Sequence, residues 1–184
     1  MPEPTPSARQ EELLEAAYRY VLDHGLADLS LRPLTAAIGS SPRVLLYLFE
    51  SKDGLVRALL ARARRDELTL LDAVDGSGLP AVALEVWHWL AAEEHRPLLT
   101  LWLEGYARSL VDPDGPWADF AAATVADWLD VLRRAQPPTA RRSASGLAQR
   151  TAALALLRGA LLDLLATGDE RRTTAAVRRA LEGL

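Results

Sequence analysis

Leucine and alanine together supply 68 of the 184 residues, 36 and 32 respectively. Both favour helix. Short clusters of turn formers interrupt that background, and the apolar residues between them recur every three or four positions. No stretch shows the strict alternation of a half-buried strand, and no internal repeat is visible. A chain so patterned is expected to be all-α, with about nine helices packed on one another.

The punctuation places the elements. Ser7 to Asp23 carries a helical stripe of Leu13, Ala17 and Val21, and Gly25 ends it. Ser30 is positioned to cap a second helix, with Leu29 and Leu34 as a hydrophobic staple and Pro33 tolerated in the first turn. Gly39 closes that helix. Ser41 caps a third, with Pro42 at its first position. Ser51 caps a fourth that runs from Lys52 to about Val74. The segment Asp75 to Pro80 reads as a break. Helices follow over 80–94, 97–110, 116–135, 147–167 and 170–183, and Pro137 to Ser145 reads as a mobile loop. The expected division is a disordered arm over 1–7, a small unit over 8–51 and a larger bundle over 52–184.

Composition excludes several classes. Without Cys there is no disulfide framework and no Cys-based zinc site. No apolar run approaches the roughly 20 residues of a membrane span. Met1 to Ser7 has no basic residue and does not resemble a signal peptide, so a cytoplasmic protein is expected. The net charge of −4 argues against a protein coated in nucleic acid. The charge is uneven, however. Residues 30–65 hold 7 basic and 2 acidic side chains, net +5, while 1–29 sum to −4 and 66–184 to −5. A small positive window in an acidic chain suits a local phosphate-backbone contact, although a solvated helix face is the alternative.

That window contains residues 30–49, in which two eight-residue helices flank the tight Gly39-Ser40 turn. This is a helix-turn-helix pattern, whose second helix enters the major groove. Stepping by 100° points Leu45, Leu46 and Phe49 inward, and Arg43, Val44 and Tyr47 outward. Ser40, Ser41 and Pro42 lead at the helix N-terminus. Arg43 can pair with guanine O6 and N7, and Val44 can touch a thymine methyl. Tyr47, Ser41 and Arg32 can reach phosphates, as can Lys52, aided by the helix dipole.

Over residues 9–60 the chain resembles the N-terminal domain of the TetR (tetracycline repressor-like) family of bacterial transcriptional regulators. The matching pieces are Leu13 to Ala17, Gly25, Leu29 to Leu34, Gly39, Ser41, Leu45 to Phe49 and Ser51 to Leu55. The resemblance implies a homodimer with one helix-turn-helix per subunit and a C-terminal domain that binds an effector and the partner subunit. It places Lys52 at a phosphate-contact position. Leu46 stands where the family often has Tyr, so Tyr47 is the phosphate contact here. Thr35 and Ser40 replace a frequent Ala and Val.

The expected C-terminal bundle holds all five Trp. Trp102 and Tyr106 share one helical face, and Trp117, Phe120, Thr124 and Trp128 share another. Such stripes are commonly core, but flat rings with a few polar groups also describe a ligand site. The candidate effector residues are Trp87, His88, Thr100, Trp102, Glu104, Tyr106, Phe120 and Trp128. Leu154, Leu157, Leu161, Leu162 and Leu165, with Arg158 alongside, form a broad face that Val177 and Leu181 extend. A helix this apolar needs cover on more than one side. Burial inside the subunit is one explanation. The resemblance implies the other, a dimer interface through the last two long helices.

The reading is therefore an effector-released repressor that binds a pseudo-palindromic double-stranded operator as a homodimer, with no cofactor and no metal. The fourth helix is the natural lever between the domains. One rival is a ligand-binding bundle of the same fold without DNA binding. Another is a helical metalloenzyme, suggested by Glu85-x-x-His88 with His95 at i+7. A di-iron bundle needs two such motifs plus two further Glu on facing helices, and only one such motif is present.

Overall fold

The computed structural model describes residues 7–26, 28–72 and 78–183. Residues 1–6 of the expected arm, the expected end of the fourth helix at Val74 and residues 75–77 of the expected break lie outside them. The helices are α1 (Ala8–His24), α2 (Leu31–Ala37), α3 (Pro42–Phe49), α4 (Lys52–Asp72), α5 (Leu79–Ala91), α6 (Arg96–Val111), α7 (Phe120–Arg134), α8 (Pro138–Arg141), α9 (Ala144–Thr167) and α10 (Glu170–Leu181). A 3₁₀ turn, Glu93–His95, precedes α6. No strand occurs among the described residues. Two compact units form. One joins the described residues up to Arg65 with Thr100–Ala121, and the other joins Asp66–Leu99 with the residues from Ala122 onward. The sequence suggests a cut at 51/52 instead, so α4 contributes residues to each unit.

In the first unit α1 buries Leu13, Ala17, Tyr18 and Val21, the expected stripe. The Ser7 hydroxyl accepts from the Gln10 N–H at 3.2 Å and caps the helix. Ser30 occupies the N-cap position of α2, but its side chain makes no capping bond. The Leu29–Leu34 staple holds that entry instead, with both side chains buried. Gly39, at φ 64°, supplies the left-handed residue that ends α2, and the Ser40 N–H reaches back to the Thr35 carbonyl at 2.9 Å. Ser41 then caps α3, accepting from the Val44 N–H at 3.3 Å.

The joint between α3 and α4 has almost no slack. The Ser51 N–H donates to the Phe49 carbonyl at 2.7 Å across Glu50, which sits at φ 65°, ψ −38°. This γ-type turn strains a residue other than glycine by about 1–3 kcal/mol. Ser51 caps α4 through the Gly54 N–H at 2.9 Å. A Cβ on Gly54 would lie 2.0 Å from the Phe49 carbonyl oxygen, so only glycine fits. On the other side the Gln10 amide donates to the Leu48 carbonyl at 2.9 Å and ties α3 to α1. Arg62 of α4 lies over the Tyr18 ring at 4.7 Å and pairs with Glu15 of α1.

In the second unit α5, α9 and α10 pack on one another. Trp87, fully buried, donates its indole N–H to the Thr174 hydroxyl at 2.9 Å and so bolts α5 to α10. Arg172 grips both oxygens of Asp163 at 2.6 and 2.7 Å across the α9–α10 bend. That hydrogen bonding holds the Asp163 carboxyl below its usual value.

Two expected boundaries move. α7 starts at Phe120 rather than 116, because Pro116 to Asp119 form turns and Asp119 has φ 63°. The expected mobile loop over 137–145 is instead an ordered corner containing α8 and the start of α9. Gln136, 2% exposed, donates to the Gly146 carbonyl at 2.8 Å and accepts from the buried Arg150 guanidinium at 3.1 Å. Arg141 donates to the Gln136 and Arg134 carbonyls, both at 2.7 Å, and covers the C-terminal end of α7. Gln136→Leu strands the Arg150 guanidinium, so we expect a loss of about 1–3 kcal/mol in urea unfolding. A mobile segment would leave the midpoint unchanged.

Candidate functional site

The outer surface of α3 and its flanks carries the predicted DNA-facing residues. Arg32, Arg43 and Lys52 are exposed. None of the three takes part in an ion pair among the described residues, unlike Arg62 behind them. Tyr47 is 84% exposed and Val44 is 38% exposed, while Ser40, Ser41 and Pro42 are half-buried at the leading end. Leu45 and Phe49 point inward as expected. Leu46 does not. It is 39% exposed, so it belongs to the outer surface, a residue the sequence reading missed. The signal was available: Leu45 and Phe49 alone form the i, i+4 pair that an eight-residue helix needs to seat itself, and position 46 falls only roughly 60° from Arg43.

The predicted effector residues divide between the units. In the first, Trp102 is buried and packs against Tyr106 with centroids 5.0 Å apart at 34°. Phe120 packs on Gly105, and Thr100 is exposed. The Glu104 carboxylate accepts from the Leu26 N–H at 2.7 Å, so its observed contact is a brace for the chain leaving α1. In the second unit Trp87 is core and Trp128 is buried with its indole N–H on Glu67. His88 is exposed and meets Arg178 at 3.3 Å. Sequence periodicity placed Trp117 and Trp128 on one helical face, but Trp117 precedes α7. The described cavity, about 550 Å³, contains none of these residues. It lies in the first unit between α1 and α4, over Leu14, Phe49, Ala58 and Ala61.

The predicted dimer residues also divide. Leu154, Leu157, Leu161, Val177 and Leu181 are buried inside the subunit, the first of the two explanations. Leu162 is 49% exposed, and Leu165 and Arg158 are half-buried. Ala148, Ala152, Ala155, Gly159, Leu162 and Ala166 leave a second, exposed apolar stripe along α9. The expected His88–His95 face is broken, because α5 ends at Ala91 and His95 turns back to stack on Trp89 at 4.2 Å. No group of three potential metal ligands occurs among the described residues. No helix among them is long and apolar enough to cross a membrane.

An all-helical chain that presents an exposed, basic-flanked second helix after a tight turn is a helix-turn-helix regulator. Comparison with known proteins specifies which. The sequence model for bacterial regulatory proteins of the tetR family matches residues 13–59. The HTH-type transcriptional repressor Rv1474c of Mycobacterium tuberculosis is 30% identical over 173 residues, spanning 93% of this chain and 89% of that protein. A TetR-family transcriptional regulator from Rhodococcus sp. has the same fold, with TM-score 0.76 and 19% identity over 96% of this chain and 98% of its own. The multidrug binding protein EbrR complexed with ethidium is 26% identical, with TM-score 0.66 over 93% of this chain and 97% of its own. The chain belongs to the TetR family of bacterial transcriptional regulators, and it is not an enzyme.

The Glu104 brace is a charge-assisted bond to a backbone donor. Glu104→Ala is expected to lower stability by about 1.5–3 kcal/mol, read as a shift in the thermal midpoint. A residue serving only an effector would leave the midpoint of the unliganded protein unchanged.

Proposed function

We propose that the protein is a repressor that binds a pseudo-palindromic operator as a homodimer and is released by a small apolar or aromatic effector. The observation that carries this is the outer surface of α3. Arg43 on the recognition helix and Arg32 and Lys52 beside it are exposed and make no ion pair among the described residues, in a segment (30–65) of net charge +5 within an acidic chain. In this reading Arg43 pairs with guanine and Val44 touches a thymine methyl. Arg32, Ser41, Tyr47 and Lys52 hold phosphates, with Ser40 and Pro42 at the groove edge. Residues 8–51 form the DNA-binding part, and 52–184 the effector and dimer part.

Two half-sites one helical turn apart require two recognition helices held at fixed spacing, hence a dimer. The exposed α9 stripe is the natural seam. It is apolar along its length, and its small residues permit close helix approach. Buried Leu154, Leu157 and Leu161 then support the seam from behind. For the effector, EbrR complexes with ethidium and with proflavin favour a flat aromatic ligand. Within the first unit Trp102, Phe120 and Tyr106 would supply an aromatic surface, with Thr100 and Glu104 as candidate polar handles; within the second, Trp87 and Trp128 would do so, with His88. Binding moves the equilibrium only by the ligand's differential affinity for the two states, with α4 as the lever.

Selection of bound duplexes from a random pool tests the reading, since a specific enriched site is required. Arg43→Ala should relax preference at one operator position and cost about 1–3 kcal/mol. Lys52→Ala should weaken all duplexes alike and reduce the salt slope by about one. Leu162→Arg places a charge in the seam. It should give a 20.1 kDa species in sedimentation and abolish operator binding. A wild-type protein that sediments as a single subunit at micromolar concentration would overturn the dimer.

A further inference from the structure

The position of Leu46 changes what α3 offers to DNA. At 100° per residue, the outer residues run Leu46, Arg43, Tyr47, Val44 across roughly 160° of the helix. One cation and one phenol therefore sit between two exposed aliphatic side chains, 39% exposed at Leu46 and 38% at Val44. Neither aliphatic residue is needed to seat the helix, because Leu45 and Phe49 are buried and do that. We propose that Leu46 and Val44 are a pair of specificity-determining residues that read 5-methyl groups of pyrimidines on either side of the base taken by Arg43. This rests on the DNA-binding reading above and names the operator chemistry it recognises.

The argument is one of complementarity. An aliphatic side chain can neither donate nor accept a hydrogen bond. Against a phosphate it would only displace water. On the floor of the major groove, the apolar group available to it is the methyl at C5 of thymine. Methylated cytosine carries the same group at the same place. Burying Leu46 and Val44 against such methyls removes apolar surface that the free protein leaves in water. A bare cytosine offers no such group there, and its C4 amino group would meet two side chains unable to accept from it. The expected half-site is thus a guanine with a methyl-bearing pyrimidine to each side, on either strand. Arg43 sets the register, and the two aliphatic residues reject sites that lack the methyls.

The test uses the full-length protein and the duplex enriched from a random pool. Each thymine of one half-site is replaced in turn by uracil, which removes only the methyl, and affinity is read by fluorescence anisotropy. The wild type is expected to lose affinity about fourfold at each of two thymines, the value of one buried methyl-sized group. Leu46→Ala should bind the thymine and uracil duplexes equally at one of those positions, and Val44→Ala at the other. Leu46→Met, which keeps an apolar side chain, should retain the discrimination. At each sensitive position, 5-methylcytosine should bind tighter than cytosine by a similar factor; equal binding of those two overturns methyl recognition there. An enriched duplex indifferent to uracil throughout, or uracil losses unchanged in both alanine variants, overturns this inference alone. Failure to enrich any duplex overturns the DNA-binding reading itself, and this inference with it.

Discussion

The recognition helix is mounted at both ends by main-chain contacts. At its C-terminal end the chain passes into α4 through the single strained residue Glu50, with the Ser51 N–H on the Phe49 carbonyl. The close approach of Gly54 to that same carbonyl leaves no room for α3 to swing independently. The adjacent Leu48 carbonyl is held by Gln10 from α1. A one-residue connection cannot be lengthened by side-chain rearrangement, which is the geometry the proposed α4 lever requires. Strain of about 1–3 kcal/mol persists only where surrounding contacts over-determine the backbone. Here the caps by Ser41 and Ser51 and the Arg62–Glu15 pair provide that support.

Electrostatics divides the labour. Arg62 is neutralised by Glu15 and lies against Tyr18, so it serves the packing of the first unit. Arg32, Arg43 and Lys52 are left for the solvent side. The positive segment is therefore not one undifferentiated patch. Part of its charge builds the scaffold, and part is exposed to solvent, where the proposed DNA contacts need it. The rest of the chain sums to −9.

The helix α9 shows how one amphipathic argument can be half right. Its apolar residues run all round, which demands cover on two sides. Leu154, Leu157 and Leu161 find theirs inside the subunit. The residues still exposed are mostly alanine and glycine around Leu162, a different stripe from the leucine-rich one that draws the eye in the sequence. Large aliphatic residues fill the core of a bundle, whereas small ones permit close approach of another helix.

Helix content, the helix-turn-helix and its basic window were all legible in the sequence, because they rest on local rules. Periodicity selects the faces, Ser and Gly mark the ends, and charge can be counted by segment. What required the tertiary structure were the pairings between distant residues. No periodicity shows that Glu104 braces the Leu26 amide, or that Gln136 and Arg150 turn a polar stretch into an ordered corner. Nor does it show that Leu46 faces outward, since an eight-residue helix has too few turns to define its buried arc from hydropathy alone. Local propensity is written residue by residue along the chain. Burial is decided only when another helix arrives to cover one side and leave the other in water.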